Sequence, residues 1–297
     1  MMLTLLPDMN VAPLKYAHVQ KQHGGPIEAV SYVERDLPTG KMFEGFANLD
    51  EKITGIHSSG ELLYANVHGS GFAATKAEAI HCAISEAMER WGWYAASQDA
   101  GMRKALRFDL DATTAGFSAF PGLGVQGAMK RALFEAAENW AIGTWWDGKL
   151  PHKDLSVPGL SAILVQSTVP GIAVVVIWKE EKGQTYFGSA ASHSQASAIE
   201  LARLDMQHHQ DMLAFCKNEK KRESFSLSVR RMQHFAEPAG FAAFRERLAK
   251  KGSTSPAPTL LVDESVRGPW TQYAHVWRCL FDSNSSREKD RVDYFLF

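Results

Sequence analysis

One segment recurs three times in this chain, and any fold the chain adopts has to accommodate all three copies. The first copy spans 69–91 and opens Gly69-Ser70-Gly71 before becoming an alanine-rich, helix-favouring run. The second spans 116–140 and the third 188–209. Aligned on their alanines, Ala79, Ala128 and Ala198 come first, and Ala83, Ala132 and Ala202 follow four residues later. Then come Glu86, Glu135 and Asp205, and three residues further on Glu89, Glu138 and His208. A spacing of three puts both ligand-type side chains of a copy on one side of a helix. Alanines at spacing four make a stripe where a small side chain allows close packing. Each copy is therefore expected to be a loop of small residues feeding a helix with an acidic or ligand-type pair.

An isolated Glu-x-x-Glu is ordinarily a solvated helix face. Three copies with one preamble argue instead that the pairs converge on a site. Four or more carboxylates brought together repel unless cations sit between them. Oxygen ligands without nitrogen or sulfur suit Mg²⁺, and Mg²⁺ held by one or two carboxylates usually also holds a nucleotide's phosphates. Of the eleven histidines, His208-His209 with Asp211 is the best cluster, but adjacent residues do not share one helix side. Asp205 and His208 echo the Glu-x-x-His ligands of di-metal bundles. That spacing keeps a carboxylate–histidine metal hydrolase or oxygenase as an alternative. Strands and small-residue loops before each helix favour phosphate.

The first two copies resemble the signature segments of the YcaO family, ATP-dependent enzymes that modify peptide backbones. Ser85-Glu86-Ala87-Met88-Glu89-Arg90 matches the family's first acidic motif in full. Glu135-Ala136-Ala137-Glu138-Asn139 matches the second, with Asn139 where the family has Arg. Asp205-Met206-Gln207-His208 stands for the family's Glu-x-x-Gln. Two further departures are Ala115 before Gly116, where the family usually has Asn, and a chain end, Asp293 to Phe297, without the family's prolines.

The resemblance spans roughly 30–281 and implies a YcaO-like α/β (α+β) fold. Mixed sheets would bring three acidic helices to one nucleotide site within a single domain, 1–297. It implies ATP and Mg²⁺ as cofactors. Glu86, Glu89, Glu135 and Glu138 are the expected metal ligands, Asp205 and His208 complete the site, and Ser70 and Arg90 touch phosphate. The implied reaction modifies a backbone amide of a ribosomally made peptide: a cyclodehydratase forming azolines, or else a thioamide or amidine. The departures also admit a degenerate, non-catalytic scaffold. With little room for a leader-binding domain, a partner protein is expected to recognise the peptide, in a homodimer or a hetero-complex.

The rest of the chain bounds these readings. A net charge of −1 gives no field to recruit nucleic acid or an anionic membrane. Cys82, Cys216 and Cys279 are far apart, which fits a reducing cytoplasm rather than a disulfide or zinc framework. No secretory signal or membrane-length apolar run is found. Strands are expected at 29–34, 41–48, 62–68, 106–110, 160–167, 172–179, 184–187, 259–263 and 273–281, and an amphipathic helix at 241–251. Gly69-Ser70-Gly71 is expected to be a phosphate-facing turn. Thr75 with Glu78 reads as a helix cap. The tryptophans at 140, 145 and 146 read as core. The charged run 217–222 reads as a solvated helix end, and 252–258 as a connector.

Overall fold

A computed structural model describes residues 17–37, 40–55, 68–120, 125–218, 227–252, 256–282 and 291–296. Among them are ten strands and seven α-helices, with three sheets, so the fold is α+β. The chain divides into two compact units, Met1–Leu133 with Val262–Cys279, and Phe134–Leu261 with Leu280–Phe297.

In the first unit, β1 (Ile27–Leu37), β2 (Gly40–Leu49) and β3 (Gly69–Ala73) form an antiparallel sheet in the order β1-β2-β3. A one-turn helix, α1 (Glu51–Thr54), follows β2, and α2 (Lys76–Gln98) follows β3. Glycine decides how closely α2 sits. A Cβ at Gly45 would fall on the Ala79 backbone, and one at Gly69 on the backbone of Ala83 and Ala87. Ala79, Ala83 and Ala87 are fully buried beneath them. This is why the repeats combine glycine in the first segment with alanine in the second. Thr75 caps α2: its Oγ1 accepts the Glu78 N–H at 3.3 Å and donates to the Glu78 carboxylate at 2.9 Å.

After α3 (Ala100–Ala105) comes β4 (Phe117–Phe120), and α4 (Gln126–Trp146) follows it. The expected strand at 106–110 is a series of turns. Leu106 and Phe108 are both buried, which mimics a strand's alternation. Between them Arg107 takes a left-handed φ of 55° and breaks the extended path. The buried Arg278 donates to the carbonyls of Asp111 and Ala115, so the backbone before the second copy is held by a guanidinium.

The second unit carries an antiparallel meander of β5 (His152–Val157), β6 (Leu160–Val165), β7 (Ala173–Glu181) and β8 (Gln184–Ser192). One face, with Ala162, Val175, Ile177 and Ala190, packs on Ala198 and Ala202 of α5 (Gln195–Asn218). The other meets α6 (Leu227–Ala236) and α7 (Pro238–Ala249), where Phe187 lies 4.8 Å from Phe244 and Trp178 lies 5.1 Å from it. Val174 to Ile177 are fully buried, so β7 is the doubly covered central strand that its unbroken apolar run predicts. Each such side chain contributes roughly 1.5–3 kcal/mol. Trp145 is buried against Phe244 and Phe295, in keeping with its core reading. The last two strands are β9 (Leu260–Val266) and β10 (His275–Phe281), and the sheet order there is β4-β10-β9.

One expectation about the repeats is overturned. Gly69-Ser70-Gly71 is not a turn: it pairs with Ala47, Phe46 and Gly45 as the strand β3. Phe117–Phe120 and the Gly188-to-Ser192 stretch are likewise strands. The small residues let a helix lie against a strand. Each copy is a strand followed by a helix. The pairs β1–β2, β2–β3, β4–β10, β5–β6, β6–β7 and β7–β8 are antiparallel. The expected strand at 62–68 lies outside the described residues except for His68, as do most of 217–222, the middle of 252–258 and the first sixteen residues.

Candidate nucleotide and metal site

In the first unit the predicted residues Ser70, Glu86 and Arg90 meet. Glu86 Oε2 accepts the Ser70 N–H at 2.8 Å and the Ser70 hydroxyl at 3.2 Å, while Oε1 accepts Arg90 Nη2 at 3.3 Å. Ser70 is on the free edge of β3, so its N–H points away from β2 and can reach the helix. Glu89 lies half-buried one turn on.

In the second unit Glu138 and Asp205 meet through Ser189. The Ser189 N–H donates to Asp205 Oδ2 at 2.9 Å, and its hydroxyl donates to Glu138 Oε1 at 2.5 Å. Glu138 Oε2 also accepts the Ala191 N–H at 3.1 Å. Burial pushes the Glu138 carboxyl up to about 7. The charge of Asp205 adds to the shift, while the two donors work against it. A cation beside the pair would remove that penalty, so these oxygens fit Mg²⁺ by charge and by donor type. Among the described residues, no three His, Cys, Asp or Glu side chains are grouped to hold an ion by themselves. Further ligands would come from what the ion is bound to.

Asp205 Oδ1 faces His209 Nε2 at 3.5 Å, whereas the sequence had put His208 beside it. The reason is helical phase, since a side chain four residues on stacks over the acid as well as one three residues on. His209 Nδ1 lies 3.0 Å from the Phe187 carbonyl. A carbonyl only accepts, so Nδ1 carries the hydrogen. His208 and Glu135 are half-buried on their helices. Ser189 is the residue that sequence reasoning misses, and His209 enters it only within the cluster His208-His209-Asp211. The signal was present: Ser189 precedes Asp205 by sixteen residues, as Ser70 precedes Glu86.

No family model matches this chain, and no curated protein matches it. Solved structures do. The chain is similar to the E. coli microcin synthetase McbBCD complex with pro-MccB17 bound, at 12% identity and a TM-score of 0.53 over 86% of this chain and 87% of that one. It is similar to a second structure of the E. coli microcin synthetase McbBCD complex at 11% identity and a TM-score of 0.53, over the same shares. It also matches YcaO from Methanopyrus kandleri bound with AMPPCP and Mg²⁺, at 15% identity and 0.49, over 91% and 88%. The helices and sheets follow those of the microcin synthetase structures across most of the chain, and the chain therefore has a YcaO-like fold.

Proposed function

We propose that this protein is an ATP- and Mg²⁺-dependent enzyme that modifies a backbone amide of a ribosomally made peptide, forming an azoline. The observation that carries the reading is the pair of carboxylates that Ser189 bridges, Glu138 and Asp205, in a chain with a YcaO-like fold. Two acids held side by side fit a divalent cation and the phosphates it brings.

ATP supplies the phosphoryl group that turns the amide oxygen into a leaving group after a Cys, Ser or Thr side chain has added to the amide carbon. Glu86, Glu89, Glu135 and Glu138 would hold Mg²⁺, with Asp205 and His208 completing the site. Arg90 and Ser70 would contact phosphate. Their work is positioning and neutralising charge, which is most of what phosphoryl transfer asks of a protein. We propose further that the chain acts as one domain, with a partner protein presenting the peptide. The solved complex with pro-MccB17 supports an assembly of that kind. An isolated chain that dehydrates a leader-bearing peptide unaided would exclude the partner.

Mn²⁺ in place of Mg²⁺ gives the direct test. Electron paramagnetic resonance should show Mn²⁺ bound to the full chain in the presence of ATP, and Asp205→Asn and Glu138→Gln should release it. Mn²⁺ that stays free beside the native chain, or that binds the variants equally, contradicts the assignment.

A further inference from the structure

His68 belongs to no part of the site described so far, and its bonding is incomplete. Its Nδ1 accepts the Leu49 N–H at 3.1 Å, so the neutral ring carries its hydrogen on Nε2. That N–H is enclosed, the residue is 4% exposed, and Nε2 has no hydrogen-bond partner among the described residues. A buried donor without an acceptor costs about as much as a lost hydrogen bond, so each one calls for an explanation.

A second enclosed donor lies in the same neighbourhood. Gly69 packs on Ala83 and Ala87 of α2, so His68, one residue before it, stands beside the next turn of that helix. That turn carries Arg90, whose Nε also has no hydrogen-bond partner among the described residues. Burial lowers the pKa of the His68 ring, Glu51 opposes that, and the Arg90 guanidinium adds to it, so ring and guanidinium are within electrostatic range.

We infer that His68 Nε2 and Arg90 Nε grip one oxyanion between them, a phosphate group of the bound nucleotide. A tetrahedral phosphate offers several acceptor oxygens and satisfies both donors at once, and charge-assisted bonds of this kind are the strong ones. Entry of the oxyanion requires movement of the Arg90 side chain, which is 23% exposed and held to Glu86 by one 3.3 Å contact. The inference rests on the nucleotide reading for the identity of the ligand, but its donors call only for an oxyanion.

Two variants separate binding from structure. His68→Asn keeps an acceptor where Nδ1 was, so Leu49 stays bonded, but it removes the donor. His68→Gln places an amide N–H where Nε2 was and leaves Leu49 unbonded. Titration of the full chain with Mg·ATP and, separately, with Mg·tripolyphosphate should show His68→Asn binding roughly ten- to a hundredfold more weakly at an unchanged Tm. His68→Gln should retain most of the affinity at a lower Tm. Native chain that binds ATP while His68→Asn binds equally well overturns the inference and leaves the nucleotide reading standing. Native chain that binds tripolyphosphate but not ATP, with His68→Asn binding neither, upholds the oxyanion site and removes the nucleotide. Native chain that binds neither overturns both.

Discussion

The first and third copies of the repeat can be compared atom by atom. In each, a strand serine gives its N–H to a helix acid sixteen residues later, Ser70 to Glu86 and Ser189 to Asp205. In each, the acid's other oxygen faces a basic side chain four residues on, Arg90 in one and His209 in the other. In each, a glycine lies on helix backbone, Gly69 over Ala83 and Gly188 over Ala202. The caps correspond too, Thr75 to the Glu78 N–H and Ser194 to the Ser197 N–H. The inner faces are thus copies, and the outer faces are not. His81 of α2 is buried against Phe120 with ring centroids 5.1 Å apart, whereas Glu200, its counterpart on α5, is 75% exposed. What a repeat keeps is the strand–helix contact and the acid locked to it, and what it sheds is decided by whatever packs on its outside.

The largest break in this comparison should come from the glycines. Gly69→Val and Gly188→Val each drive a side chain into helix backbone, and each should cost roughly 3 kcal/mol or more in urea unfolding. A large loss at one position alone would show that the copies pack differently.

Acid should next separate the two copies. Burial, with a smaller push from Arg131, lowers His81 from 6.5 to about 4. Between those values the unfolded chain binds the proton and the folded chain does not, so stability is full above pH 6.5 and falls as pH drops, levelling off below about 4. The loss is of order 3 kcal/mol at about 1.36 kcal/mol per unit. The stability of His81→Phe relative to the native chain, measured by unfolding from pH 7.5 to 4, should rise by about that amount as pH falls, and a difference that does not change with pH would contradict the assignment.

Matched changes at the acids sharpen the equivalence further. Glu86→Gln and Asp205→Asn should each weaken Mg·ATP binding about tenfold or more, on the scale of a lost charge-assisted contact. The smallest effects belong to the caps, where Thr75→Ala and Ser194→Ala should each lower stability by about 1 kcal/mol. A loss at Thr75 without one at Ser194 would break the correspondence at its weakest point.

Much of this was legible in the sequence. The alanine stripes and the acids at three-residue spacing marked the helices, and the apolar run before Lys179 marked the central strand. Three things were not. Glycine and serine at the head of each copy read as a turn, because sequence does not show the helix that those residues make room for. Leu106 and Phe108 alternate like a strand, and only the positive φ at Arg107 reveals the turn. The contact of Asp205 with His209 is hidden as well, because residues three and four apart share a helix face and spacing alone does not choose between them. The middle copy shows the limit of alignment: Asn139 stands where the others have Arg90 and His209, and its buried Oδ1 has no hydrogen-bond partner among the described residues.

On the proposed function, the repeats hold a nucleotide through Mg²⁺. Calorimetric titration of the full chain with ATP, with and without Mg²⁺, beside the Glu86→Gln, Glu135→Gln double variant, tests it most directly. The account predicts micromolar binding that requires Mg²⁺ and vanishes in the double variant. Binding that persists without Mg²⁺ or survives both substitutions, or no binding to the native chain at all, would contradict it.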